Sequence, residues 1–357
     1  MQVSNIDSQT IPLQESPDYV RLSLAAAMTL GFVKGWFYRE ARLGCINLLM
    51  TYADGCRANC SFCGLAAEKY TLPARRNFIR VPWKTFQTQE VIDAMENAPD
   101  YVSRVCISMI THPRAKNDVL QLCRQLADLT DKSISLLIAP TLLKKDDLKS
   151  MKDSGADRIG VAIDAATKEI FQQLRGKAVH GPHRWEQYWK IYGEALDIFG
   201  EGMAGVHLIC GLGETEKELV STIARARSMG GCTHLFSFFP EAGSAMENHP
   251  APHIGSYRRI QLARWLIDND RIDLKSMKFD SLERVIYFGL SDTELQDVIL
   301  TGVPFETSGC PGPNGKVACN RPYGNEKPGA LIRNFPFAPD SGDLERIIWE
   351  LAEYQMV

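Results

Sequence analysis

Short apolar or β-branched runs alternate with helical patterns along most of this chain, the runs falling at 46–52, 102–109, 134–139, 158–163, 206–210 and 234–239. Between them apolar residues recur at helical spacing. Val119, Leu122, Cys123 and Leu126 share one face, as do Leu142, Leu148 and Met151, and Leu219, Ile223 and Ala226. Strand-length apolar runs separated by helix-length segments predict a parallel sheet with crossover helices. Ser291-Asp-Thr-Glu294 has the capping-box pattern and predicts a helix ahead of a last strand over 303–305. With a weak strand near 275–279 the count reaches eight, as in a (β/α)8 barrel, although an open doubly wound sheet would show the same alternation.

The flanks differ from this body. Residues 1–16 are polar and aperiodic, as in a tail, and 18–39 predict a helix capped by Asp18 with a small-apolar face against the main body. Beyond 305 the chain is rich in Gly, Pro and Asn up to 339, and 341–354 then predict a helix with Leu344, Ile347, Ile348 and Leu351 inward. The expected organisation is a tail and helical extension over 1–44, a barrel over 45–306, and a loop plus helix over 307–357.

Composition narrows the function. The 357 residues exceed the roughly 250 of one such barrel by enough for terminal extensions. A net charge of -3 with no basic run argues against a nucleic-acid or membrane-surface binder, and the apolar stretch 22–33 is too short to span a bilayer. Ten cysteines in a chain of this size, without a secretory leader, are expected to be thiols in a reducing cytoplasm.

Three of them stand in Cys56-Arg-Ala-Asn-Cys60-Ser-Phe62-Cys63, directly after the first apolar run. Clustered soft thiolates suit an iron-sulfur cluster or zinc, and with no fourth cysteine nearby one metal position is left open. A structural zinc site normally takes four protein ligands, commonly from two paired motifs, and no second pair is near. The C-x3-C-x2-C spacing, with an aromatic residue before the third cysteine, resembles the signature of radical S-adenosylmethionine (SAM) enzymes. That resemblance implies the barrel and a [4Fe-4S] cluster held by Cys56, Cys60 and Cys63, whose fourth iron SAM chelates.

The resemblance implies further contacts to SAM. Phe62 would stand beside it. Asp164, ending the fourth strand, looks like the residue that holds the ribose, the alternative being a cap for a helix starting near Thr167. Ile209-Cys-Gly-Leu-Gly-Glu214 resembles the fifth-strand motif whose backbone and apolar side chain touch adenine, with His207 where that motif has glycine. The family's Gly-Gly-Glu is replaced by Ser108-Met-Ile-Thr111, so Ser108 or Thr111 would accept from the methionyl amine. Arg184 or Lys190 would pair with the SAM carboxylate, unless both are solvated surface charges.

Arg104-Val-Cys106 resembles the biotin synthase strand that lines a second cluster, but the partner cysteines are missing at 134–139 and near Gly205, so Cys106 reads as core. Cys310 and Cys319 are nine apart in a Gly/Pro-rich loop after the last expected strand, which reads as part of an auxiliary iron-sulfur site above the barrel mouth, in a segment able to move and admit a substrate. A disulfide or two idle thiols is the alternative. Cys106, Cys45 or Ser308 would complete the site, although Cys45 is expected at the opposite end of the barrel. Cys123 and Cys232 read as structural. Residues 18–340, with 238–244 and the cysteine-bearing tail, resemble the biotin-synthase-like subunits of two-component lipoyl synthases. This implies a 5′-deoxyadenosyl radical and sulfur insertion into an octanoyl chain on a lysine of a carrier protein or peptide. The sulfur would come from the auxiliary cluster. A second radical SAM subunit and an electron donor such as ferredoxin or flavodoxin would be partners. A methylornithine-synthase-like rearranging enzyme and a cluster-carrying scaffold are the alternatives.

Overall fold

The computed structural model describes residues 13–67, 77–322, 329 and 332–353. In chain order the elements are β1 (Tyr19–Leu22), α1 (Leu24–Thr29), β2 (Cys45–Met50), β3 (Asn77–Phe78), β4 (Val81–Pro82), β5 (Lys84–Gln87), α2 (Thr88–Glu96), β6 (Arg104–Ser108), α3 (Ala115–Leu129), β7 (Ser133–Ile138), α4 (Lys145–Asp153) and β8 (Ala156–Asp164). There follow α5 (Lys168–Leu174), α6 (Trp185–Phe199), β9 (Ala204–Cys210), α7 (Glu216–Ser228), β10 (Cys232–Ser237), α8 (Ile254–Asp268), β11 (Lys278–Phe279), β12 (Val285–Tyr287), α9 (Asp292–Leu300) and α10 (Ser341–Ala352).

The result is an α/β fold around one mostly parallel eight-stranded sheet, in the order β10-β9-β8-β7-β6-β2-β1-β5. The six runs read from the sequence are the six parallel strands, β2 and β6 to β10. All six residues of β2 are buried, as a strand covered on both faces requires. The expected faces of α3 and α7 pack inward, Val119, Leu122, Cys123 and Leu126 on the first and Leu219, Ile223 and Ala226 on the second. The capping box at Ser291 and Glu294 forms as read.

The other two strands of the sheet are not the ones expected. The stretch 18–39 begins as β1, which runs antiparallel to both β2 and β5. Its alternative, a helix capped by Asp18, loses to an edge of β2 that would otherwise have unpaired backbone groups. Lys278–Phe279 is too short to span a sheet and pairs with β12 in a separate hairpin. Val303–Phe305, between left-handed Gly302 and Glu306 and containing Pro304, is a 3-10 turn. Ser308 instead closes β10, its hydroxyl accepting from Leu235 N–H at 2.7 Å and facing the Leu235 carbonyl at 3.5 Å.

Ile347 of α10 is buried, with Leu344 and Leu351 partly so, whereas Ile348 faces outward. Tyr354, the expected end of this helix, and residues 1–12 of the expected tail lie outside the described residues. A buried Arg258–Glu350 pair at 2.7 Å ties α10 to α8. Among the described residues no helix is long and apolar enough to cross a membrane.

Inward side chains from all six parallel strands line one cavity of about 270 Å³. Glycine makes room on its wall. A Cβ at Gly160 would lie 2.9 Å from His207 Nε2, and one at Gly205 2.9 Å from His234 Nε2, so these two positions let both imidazoles turn inward.

Candidate functional site

The loop after β2 carries Cys56, Cys60 and Cys63 at the C-terminal ends of the parallel strands, and all three thiols line the cavity. Neighbouring segments pin it. Arg57 N–H donates to Thr111 O at 2.7 Å, Ser61 N–H to Leu174 O at 2.8 Å, and Asn59 Nδ2 to Val179 O at 3.0 Å. Backbone amides also meet sulfur, Ala58 N–H at 3.4 Å from Cys56 Sγ and Leu65 N–H at 3.4 Å from Cys63 Sγ. Such donors favour thiolate and are the usual surroundings of cluster ligands. Burial pushes all three thiols up in pKa, while Arg175 pulls Cys60 back down. A bound metal is what deprotonates thiols in this setting. No three His, Cys, Asp or Glu side chains among the described residues meet tightly enough for a single ion. Three thiols on one loop beside an open cavity fit a cluster, whose irons occupy separate corners.

Asp164 lies next to this loop at the end of β8, where a register shift against β9 and a left-handed φ of 64° turn it toward the cavity. It is not the helix cap. Thr167 caps α5, its hydroxyl accepting from Ile170 N–H at 3.2 Å. Arg175, buried just past α5, pairs with Asp164 at 3.0 Å and donates to the carbonyls of Ala162 and Ile163. Burial raises the Asp164 carboxyl and Arg175 lowers it. His183 lines the same wall, its Nδ1 within 2.6 Å of Thr141 Oγ1 and 2.9 Å of Tyr188 Oη. Burial, with Arg175 nearby, pushes it down to about 2, so it is neutral.

Phe62, Ile209 and Ser108 also line the cavity. The first two belong to one small apolar cluster with Leu212, Phe238 and Met246. The turn after β9 is closed by Glu214, which accepts from Gly211 and Leu212 N–H at 2.6 and 2.9 Å, with Gly211 at φ 103°. Arg184 and Lys190 are a correction. Both are exposed on the outer side of α6, Lys190 facing Glu194 of its own helix, because the inward face of that helix is taken by Tyr188, Trp189, Ile191 and Tyr192. The cavity cation beside Asp164 is Arg175, which no motif announced. Its one signal was a lone arginine before Gly176, at the end of the helix that follows Asp164. Glu241, accepting from Arg80 N–H at 2.5 Å, is a second cavity residue that no motif announced.

The placement of Cys310 and Cys319 is also corrected. Their loop packs at the N-terminal ends of the parallel strands, where Arg104 Nε donates to Pro311 O at 2.9 Å and Asn320 spans Arg42 O and Gly44 N–H. It therefore closes the end opposite the Cys56 loop. Cys45, expected far from it, is its neighbour. Asn47 Nδ2 lies 3.5 Å from Cys319 Sγ and 3.9 Å from Cys45 Sγ. Cys310 is free of any disulfide, as are the other cysteines. Residues 323–328, which include Tyr323 of the tail motif, lie outside the described residues.

Residues 50–226 match the family model of the radical SAM superfamily, so the chain carries that domain. A [4Fe-4S] cluster and SAM come with that family. No curated protein matches the chain in sequence. Among solved structures, HydG, a maturase of the [FeFe]-hydrogenase, is similar with TM-score 0.52 and 12% identity over 68% of this chain and 57% of its own. SuiB of Streptococcus suis gives 0.44 and 14% over 61% and 45%, and the coproporphyrinogen III oxidase HemN of Escherichia coli 0.35 and 16% over 56% and 46%. The chain thus spans little more than half of HydG and less of the others, and the likeness to HydG is one of fold.

Proposed function

We propose that this radical SAM enzyme inserts sulfur into an octanoyl chain carried on a lysine of a carrier protein or peptide. One observation carries the reading. A single cavity is lined by Cys56, Cys60 and Cys63 at one end of the strands and by Cys106 and Cys319 toward the other. Between them Leu49, Met109, Leu137 and Phe236 supply an apolar wall suited to an unactivated hydrocarbon.

In this reading Cys56, Cys60 and Cys63 hold the [4Fe-4S] cluster, and Cys310 and Cys319 belong to an auxiliary one that donates sulfur. SAM on its cluster supplies a 5′-deoxyadenosyl radical when bound and reduced. Arg175 offers its charge to the SAM carboxylate, Asp164 accepts from ribose hydroxyls, Ser108 or Thr111 from the amine, and Phe62 and Ile209 pack against the apolar parts. A second radical SAM subunit and a ferredoxin or flavodoxin as electron donor complete the system.

The test is anaerobic reaction of the chain and its partner subunit with SAM, reductant and an octanoyl-lysyl peptide, followed by mass spectrometry. Sulfur should appear in the peptide with wild type and not with Cys310→Ala/Cys319→Ala. If 5′-deoxyadenosine forms while wild type adds no sulfur, the reading fails and a rearranging, methylornithine-synthase-like activity takes its place.

A further inference from the structure

We propose that Cys45 and Cys106 join Cys310 and Cys319 as the four protein ligands of a second iron-sulfur cluster, seated at the N-terminal ends of the parallel strands. This deepens the sulfur-insertion reading and rests on its assignment of Cys310 and Cys319. The geometry begins with strand register. Asn47 on β2, Cys106 on β6 and Ser135 on β7 are successive register partners, so their side chains stand in one row. Asn47, at one end of the row, reaches the sulfurs of both Cys45 and Cys319. At the other end, Arg104 donates both to Ser135 Oγ at 3.0 Å and to the carbonyl of Pro311, the residue after Cys310, at 2.9 Å. Cys106 stands between these two ends and shares the cavity wall with Cys319. Four thiols separated by up to 274 positions in sequence therefore converge on one place.

The loop that brings Cys310 and Cys319 there is built for a fixed position. The carbonyl of Cys310 accepts from Ala318 and Cys319 N–H at 3.0 and 3.1 Å, closing it into a tight hairpin. A Cβ at Gly309 would lie 2.1 Å from Cys319 O and one at Gly44 2.8 Å from Ala318 O, so glycine is required on both sides of the cysteine-bearing strand. Asn320 then bolts it to Arg42, Gly44 and Pro336.

Charge around the thiols matches a cluster rather than packing sulfur. Arg104, buried and bidentate with Asp157, and Arg321, which lines the cavity, both stand beside them. The Nε of Arg321 is buried with no acceptor among the described groups. Four thiolates around an iron-sulfide core leave a net anion, which would satisfy that donor and offset both guanidiniums. A single zinc takes its ligands at one point, and no three such groups meet so among the described residues.

The experiment starts from the variant in which Cys56, Cys60 and Cys63 are all replaced by alanine. It is reconstituted anaerobically with ferrous iron and sulfide, then assayed for iron, sulfide, Mössbauer and EPR spectra. It should retain one cluster. Adding Cys45→Ser, Cys106→Ser, Cys310→Ser or Cys319→Ser should each lower the iron and sulfide content or change the spectra, whereas Cys123→Ser and Cys232→Ser should do neither. Each serine variant is also compared with its parent by circular dichroism and chemical denaturation, where a cooperative transition shows that it is folded. No iron in the triple variant, or zinc in its place, overturns the proposal. Unchanged iron, sulfide and spectra in both Cys45→Ser and Cys106→Ser overturn the ligand set. A retained second cluster with no sulfur transferred to the octanoyl peptide sinks the proposed activity and leaves this site standing.

Discussion

Two groups of thiols occupy opposite ends of one parallel sheet, and they are made in different ways. Cys56, Cys60 and Cys63 come from eight consecutive residues, held by backbone bonds to the loop ends after β6 and α5. Cys45, Cys106, Cys310 and Cys319 come from two strands and a distant loop, and meet when β2, β6 and the C-terminal segment are all in place. A contiguous loop brings its ligands together at little cost in chain entropy, while the second group exists only after long-range closure. The first end is therefore suited to a site that exchanges a cofactor. The second is tied into the fold.

The strongest way to break this contrast is to remove each end in turn. Alanine at Cys56, Cys60 and Cys63 together should reduce SAM cleavage to the background rate, measured as 5′-deoxyadenosine, while Cys310→Ala/Cys319→Ala should leave it near wild type. Equal loss in both would mean that the two ends do not act separately.

A smaller effect should separate cavity charges from surface charges. Asp164→Asn should weaken SAM binding roughly tenfold, about 1.4 kcal/mol, in equilibrium dialysis. Arg184→Ala and Lys190→Ala should leave it unchanged, since both side chains point to solvent. Weaker binding in either of the latter would return the carboxylate contact to α6.

Gly205→Ala sharpens the contrast from the other side. Its Cβ would push on His234, whose Nε2 lies 3.9 Å from Cys310 Sγ. Overpacking of this kind costs about 1–3 kcal/mol, readable in chemical denaturation, and should disturb the Cys310 end while SAM affinity holds. A stability equal to wild type would show that the imidazole yields freely.

The smallest effect is a pH dependence near the same end. Asp268, ending α8, accepts from Thr233 N–H at 3.1 Å, and burial raises it to about 7 while Arg264 pulls it down. An acid raised above its unfolded value keeps its proton in the folded state, so its contribution is complete below about pH 4 and is lost as pH rises toward 7. Asp268→Asn should remove that part of the slope from urea midpoints taken between pH 4 and 7. An unaltered slope would place the titrating group elsewhere.

The amino-acid sequence by itself determined the six parallel strands, the inward faces of α3 and α7, the capping box at Ser291 and the three-thiol loop. Each is written in neighbouring residues, through period, cap chemistry or spacing. It also marked Phe62, Asp164, Ile209 and Ser108, because strand ends bring such positions to one face. Tertiary structure alone decided the rest. β1 is a strand because the edge of β2 needed a partner, and Val303–Phe305 is not one because Ser308 had already satisfied β10. Arg175 lines the cavity while Arg184 and Lys190 are exposed, because a helix places its charges by face and α6 spends its inner face on aromatic and aliphatic packing. Cys45 and Cys319 are neighbours because the C-terminal loop returns to the start of β2, a choice among long-range closures that no local pattern encodes.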